Sequence, residues 1–136
     1  MILLTPDLRF VLRANDINHR AAQPDEKPEP DPVPVLKLFN PLGAATWLAT
    51  ELAEDDDTLF GLADLGFGCP ELGSFSLSEI ASVRLPFGLG IERDIGFETP
   101  FPLSRWADTA RRAGSIQWAE TPLRRAAADE LPPKGG

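Results

Sequence analysis

At 136 residues, with 43% hydrophobic residues, 14 prolines and 11 glycines, the chain has the size of one domain with a modest core and many turns. Its 21 acidic and 13 basic residues give a formal charge of -8, which disfavours direct contact with nucleic-acid phosphates. No apolar run reaches the roughly 18 residues of a membrane span, Met1 to Leu4 is too short for a signal peptide, and the lone Cys69 permits no disulfide framework, so a cytoplasmic protein is expected.

Thr5-Pro6-Asp7 is a helix start: a hydroxyl to cap free amides, proline at the first helical position and a carboxylate against the helix dipole. The spacing of Leu8, Val11 and Leu12 predicts a helix over Pro6 to Ala14, with Asn15 as its C-terminal cap. From Asn18 to Pro34 prolines and charges alternate too densely to bury apolar surface, which predicts a mobile loop.

Val35 to Phe39 and Ala45 to Leu52 read as two strands of a hairpin turned by Asn40-Pro41-Leu42-Gly43, although the alternation in the second is imperfect. Four adjacent carboxylates, Glu54 to Asp57, repel one another and form a solvated loop. Leu59 to Leu65 is a third strand, ending in the glycine-rich Gly66-Phe67-Gly68-Cys69-Pro70 turn. Glu71 to Phe75 is a short fourth strand, and Ser76 with Glu79 makes a capping box for a helix over Leu77 to Val83.

Ile91 to Phe97 alternates as a fifth strand with Ile91, Arg93, Ile95 and Phe97 on its apolar face. A last helix spans Leu103 to Ala113, with Ser104 as its cap and Gly114 as its stop. Residues 119–136 read as a tail. The expected fold is α+β: one domain over 1–118, with a loop at 18–34, built as a small, mostly antiparallel sheet of four to five strands. About three helices pack on one face of that sheet.

The parts for catalysis are sparse. His19 and Cys69 are the only members of their types, so a Cys–His pair would need the fold to bring together a surface histidine and a turn cysteine of the kind that is usually buried. Zinc lacks ligands, no calcium-loop spacing closes around Asp55, Asp56, Asp57 and Asp64, and the glycines do not form a phosphate loop. No metal, cofactor or catalytic residue is therefore assigned. Trp47, Trp106 and Trp118 are expected in the core. The acidic set Glu51, Glu54, Asp55, Asp56 and Asp57 is the candidate partner-binding surface, able to recruit a basic protein or to imitate the phosphates such a protein holds.

Several stretches carry a resemblance: Leu3-Leu4-Thr5-Pro6, Pro34 to Phe39, Ala45-Thr46-Trp47-Leu48, Phe60 to Gly66, Pro70-Glu71-Leu72-Gly73 and Ile91-Glu92-Arg93-Asp94. Together they are similar to an uncharacterised bacterial family carried on plasmids, integrative elements and phages, domain-of-unknown-function family 2958, over about Leu3 to Phe97. The resemblance implies a mobile-element accessory protein, akin to neighbours of antirestriction and DNA-processing genes. It implies no catalytic residue.

The expected function is thus a non-enzymatic acidic protein that binds and inhibits or modulates a host DNA-defence complex, of CRISPR or restriction type, by nucleic-acid mimicry. Its partner would be a protein with a basic surface. Two alternatives stand beside it. One is a metal-assisted hydrolase using Asp64, Glu71, Glu92 and Asp94; the other is a plasmid maintenance or transfer adaptor that recognises a protein through exposed aromatics.

Overall fold

A computed structural model of the chain describes residues 1–24 and 27–130. Its element order is α1 (Pro6–Ala22), β1 (Leu36–Phe39), β2 (Thr46–Leu52), β3 (Thr58–Asp64), β4 (Glu71–Ser76), α2 (Leu77–Ala81), β5 (Glu92–Arg93), α3 (Leu103–Ala113) and α4 (Ile116–Glu130), with a 3-10 turn at Pro86–Gly88. The five strands form one antiparallel sheet in the order β4-β3-β2-β1-β5, an α+β architecture of the expected kind.

Thr5 caps α1 as its sequence predicts, its hydroxyl accepting from Leu8 N–H at 3.3 Å. The helix then continues to Ala22 and does not stop at Asn15. Asn15 turns its amide to the sheet and donates to the Thr50 carbonyl at 2.9 Å, while Arg13 donates to the Leu52 carbonyl at 2.7 Å. The pairing of β1 with β2 ends at Leu36–Ala49, so these two α1 side chains serve β2 carbonyls beyond the end of β1. Docking on the sheet supplies what the local sequence does not, and extends the helix.

All seven residues of β2 are buried, because helices cover both faces of the sheet rather than one. On one face Leu36, Leu38, Trp47, Ala49 and Leu59 pack with Leu12 of α1. On the other, Leu48 and Leu62 pack with Trp106, Ala110, Ile116 and Leu123 of α3 and α4. A strand buried on both sides reads as a continuous apolar run, which is why its alternation looked imperfect. Between Ala49 and Glu51 the β2–β3 register slips by one residue. There β3 passes so close to β2 that a Cβ on Gly61 would lie 1.8 Å from the Leu48 carbonyl oxygen.

The C-terminal helix is the largest departure from expectation. Residues 119–130 belong to α4 and are not a tail, with Ala119 and Leu123 buried. Pro122 sits inside this helix and removes a backbone donor, but the apolar face still packs. The final residues, 131–136, lie outside the described ones, as do Asp25 and Glu26 of the expected loop.

The described remainder of that loop is tied down. Leu103 N–H donates to the Pro32 carbonyl at 3.0 Å, and Ser104 donates from both its N–H and its hydroxyl to Asp31. Asp31 thus serves the start of α3 from outside, where Ser104 was expected to cap it. The fifth strand shortens to Glu92–Arg93, leaving Ile95 exposed and Ile91 buried. Among the described residues no helix is long and apolar enough to cross a membrane.

Candidate functional site

The acidic segment forms the tip of the β2–β3 hairpin. Ala53 N–H donates to the Thr58 carbonyl at 2.8 Å and Asp56 N–H to the Ala53 carbonyl at 3.0 Å, folding the chain back tightly. Asp56 adopts φ 63°, a left-handed conformation that aspartate tolerates better than most residues.

Asp55 anchors the tip. One oxygen accepts from the backbone N–H groups of Asp57, at 2.9 Å, and Thr58, at 2.8 Å, and the other from the Thr58 hydroxyl at 2.6 Å. The Thr58 hydroxyl, followed by these amides, lowers the Asp55 pKa to about 2. Asp57 reaches sideways to β4: it accepts from the Ser76 hydroxyl at 2.7 Å and from Ser78 N–H at 2.8 Å, and the Ser76 bond foremost holds its pKa below the usual carboxylate value. Ser76 in turn caps α2 as its sequence predicts, accepting from Glu79 N–H at 3.2 Å.

Asp56 pairs with Arg9 of α1 at 2.7 Å, both side chains half exposed, so the pair adds little stability. Glu54 is exposed at the tip. The structure therefore brings Glu54, Asp55, Asp56 and Asp57 together on one ordered turn. Residues 38–83, which contain β2, β3, β4 and α2, hold eight acids and no lysine, arginine or histidine.

Glu51 does not share that surface. It sits in β2 at 6% exposure and takes a hydrogen bond from His19 Nδ1 at 2.9 Å, and His19 Nε2 lies 3.5 Å from the exposed Glu29. Hydrogen bonding to Glu51, against a smaller desolvation cost, raises the His19 pKa above 6.5. Asp16, buried beside them, accepts from Arg13 at 2.9 Å and Arg20 at 3.1 Å. His19 is accordingly a half-buried, partnered residue and not a plain surface histidine. Cys69 is exposed, in the loop that follows the Asp64 end of β3. His19 meets β2 near its other end, so no Cys–His pair forms.

A second polar feature, unseen in the sequence, is a cleft of about 240 Å³ between β1, α3 and α4. Lys37 reaches into it from β1, hydrogen-bonded to Glu120 and 3.6 Å from Asp94, while Arg124 approaches Glu120 at 3.9 Å. Phe97 and Trp106 wall it with ring centroids 6.1 Å apart, and the indole N–H donates to the Thr99 hydroxyl at 3.1 Å. Lys37, Asp94, Glu120 and Arg124 pair with one another, and Glu98 also lines the cleft without an ion pair to any of them. Only recognition of α4 could have exposed this cleft, because Glu120 lies in the stretch that reads as a tail.

The four carboxylates of the hydrolase alternative do not converge. Asp64 is fully buried and accepts from Gly66 and Ile116 N–H groups. Glu71 lies on β4 and Glu92 on β5, the two outer strands, about 19 Å apart at the usual strand spacing. Asp94 belongs to the Lys37 cleft. Among the described residues no group of three or more His, Cys, Asp or Glu side chains could hold a metal ion. Of the tryptophans, Trp47 and Trp106 are buried as expected, whereas Trp118 is 74% exposed.

A family described as "Protein of unknown function (DUF2958)" matches residues 3–117. No curated protein and no solved structure matches the chain.

Proposed function

The chain belongs to this DUF2958 family, and from that footing we propose that it is a non-enzymatic binding protein whose acidic hairpin tip engages a basic surface on another protein. The observation that carries this reading is the ordered tip itself. Asp55 and Asp57 are fixed by hydrogen bonds that also keep them ionised, so their charges are held in place before any partner arrives. Preorganised charge costs less ordering entropy on binding and steers encounter. Carboxylates so held can stand where phosphates stand in a nucleic-acid groove. The partner we propose is a host DNA-defence complex of CRISPR or restriction type, met in the cytoplasm on behalf of a mobile element.

The test is capture of partners from nuclease-treated host lysate at graded salt. Glu54→Gln with Asp56→Asn removes two exposed charges without touching the bonds that build the turn. Weaker capture and a flatter salt dependence of the captured complex are expected. Unchanged affinity and salt slope would sink the reading.

A second reading is favoured by four exposed aromatics: Phe10, Phe67, Phe87 and Trp118 are 74%, 82%, 92% and 74% exposed. Phe87 also holds φ 65°, unusual for a bulky residue. An adaptor for plasmid maintenance or transfer would use such side chains as anchors. Alanine at Phe87 and Trp118 should then abolish capture while the charge variant leaves it intact.

A further inference from the structure

The sheet has two outer strands, and they are treated differently. β5 is only two residues long, and its Arg93 N–H is already taken by the Met1 sulfur at 3.1 Å. β4 runs for six residues, Glu71–Ser76, without a proline, a lysine or a bulge, the devices that usually blunt an edge.

The phase of its hydrogen bonding follows from one contact. Leu77 N–H donates to the Asp57 carbonyl at 2.9 Å, so in the Thr58–Ser76 register the backbone groups of Phe75, Gly73 and Glu71 face β3. Those of Leu72 and Ser74 must face outward. No described residue donates to or accepts from either backbone. Two donors and two acceptors, spaced as in a β-ladder, are therefore presented at the surface.

The chemistry around this edge selects its occupant. Glu71 stands at one end of β4, and Asp57 contacts Ser76 at the other, with Glu79 exposed one turn into α2. Neither β4, nor its neighbour β3, nor α2 contains a cation. Arg20 and His19 of α1, which line the hollow beside Ser74, are each paired with a carboxylate, Arg20 with Asp16 and His19 with Glu51. Leu72, 41% exposed, lies on the opposite face of the strand from Glu71. An incoming strand would thus meet a carboxylate on one face and an apolar side chain on the other. A second copy of β4 fits poorly, because antiparallel self-pairing would bring one Glu71 to the Asp57 end of its mate.

We infer that the outer edge of β4 receives an extended, lysine- or arginine-bearing segment of the partner as a sixth strand. This rests on the proposed reading of a basic partner and gives it a binding mode. Main-chain bonds to Leu72 and Ser74 supply affinity, and the acidic surroundings supply the preference for cations.

The test uses the full chain and a fluorescent seven-residue peptide alternating lysine and valine, with the glutamate–valine peptide as control. Ser74→Pro deletes an outward donor that no described residue uses, and Ser74→Ala keeps it. Expected are binding of the lysine peptide, its weakening by about tenfold or more in Ser74→Pro, and no change in Ser74→Ala. On the unsubstituted protein, the Leu72 and Ser74 amides should gain hydrogen-exchange protection when the lysine peptide is added, a readout that survives if Ser74→Pro fails to fold.

Equal binding of both peptides, or no added protection at those amides, overturns the inference. A drop from dimer to monomer in Ser74→Pro without peptide also overturns it, since a second copy then holds the edge. Loss of peptide binding on Glu54→Gln with Asp56→Asn but not on Ser74→Pro removes the sixth strand and keeps the acidic tip. The reverse pattern keeps the strand and removes the tip.

Discussion

The Asp64 carboxylate, fully buried at the end of β3, accepts a hydrogen bond from Ile116 N–H at the first residue of α4, at 2.9 Å. Its other oxygen accepts from Gly66 N–H at 2.9 Å. One side chain thereby joins the sheet, the β3–β4 turn and the C-terminal helix. Asp64→Ala leaves two donors without their acceptor and should cost about 2–3 kcal/mol, with Asp64→Asn costing less because it keeps one acceptor. Urea unfolding of the three proteins checks this, and an unchanged midpoint in the alanine variant would contradict it.

Gly61 admits no side chain. Its Cβ would meet the Leu48 carbonyl oxygen at 1.8 Å, a backbone atom that cannot move without opening the bulge between Ala49 and Glu51. Gly61→Ala should lower stability by about 3 kcal/mol or more. Gly73→Ala, on the outer strand with open space at its Cβ position, is the matched control and should change stability far less.

Asn15 and Arg13 hold α1 to β2 through the Thr50 and Leu52 carbonyls. Asn15→Ala should cost about 1–2 kcal/mol, as expected for a half-buried carbonyl losing its donor. Equilibrium unfolding measures the loss; a value near zero would mean that water replaces the amide.

His19 should titrate above 6.5 because its protonated form bonds Glu51 and faces Glu29. A pKa raised on folding gives stability that is complete below the unfolded value of 6.5 and disappears as pH rises through the folded value. An NMR titration should place the midpoint above 6.5, and Glu51→Gln should bring it back toward that value. The stability difference between the unsubstituted protein and His19→Gln should narrow as the solution is made more alkaline.

Asp55 gives the opposite sign. Its pKa of about 2 lies below the ordinary aspartate value of 3.8, so its bonds stabilise the turn above 3.8 and are lost as pH falls through about 2. Thr58→Val deletes the hydroxyl that contributes most to this lowering. The Asp55 pKa, read from carboxyl carbon shifts, should rise toward 3.8; no rise would reassign the effect to the backbone amides.

The local chemistry of the sequence located what local chemistry controls. Thr5, Ser76 and Gly114 mark helix ends by capping and by left-handed φ, and the strands around the acidic turn follow from β-forming residues between turn residues. What long-range packing decides was not legible. The extra turns of α1 exist because Asn15 and Arg13 meet the sheet, and α4 exists because Ile116, Ala119 and Leu123 find a core across Pro122. The acidic tip was visible as a charge run. The withdrawal of Glu51 from it depends on the register slip beside Thr50, which no spacing rule reveals.

The seating of α1 on β2 also bears on how the molecule opens. Because β2 is buried along its whole length and two of its carbonyls beyond β1 are held by α1 side chains, that end of the strand cannot meet solvent until the helix lifts away. Detachment of α1 and loss of the central sheet then become one cooperative event, and β2 amides should be among the slowest in the chain to trade their protons with water.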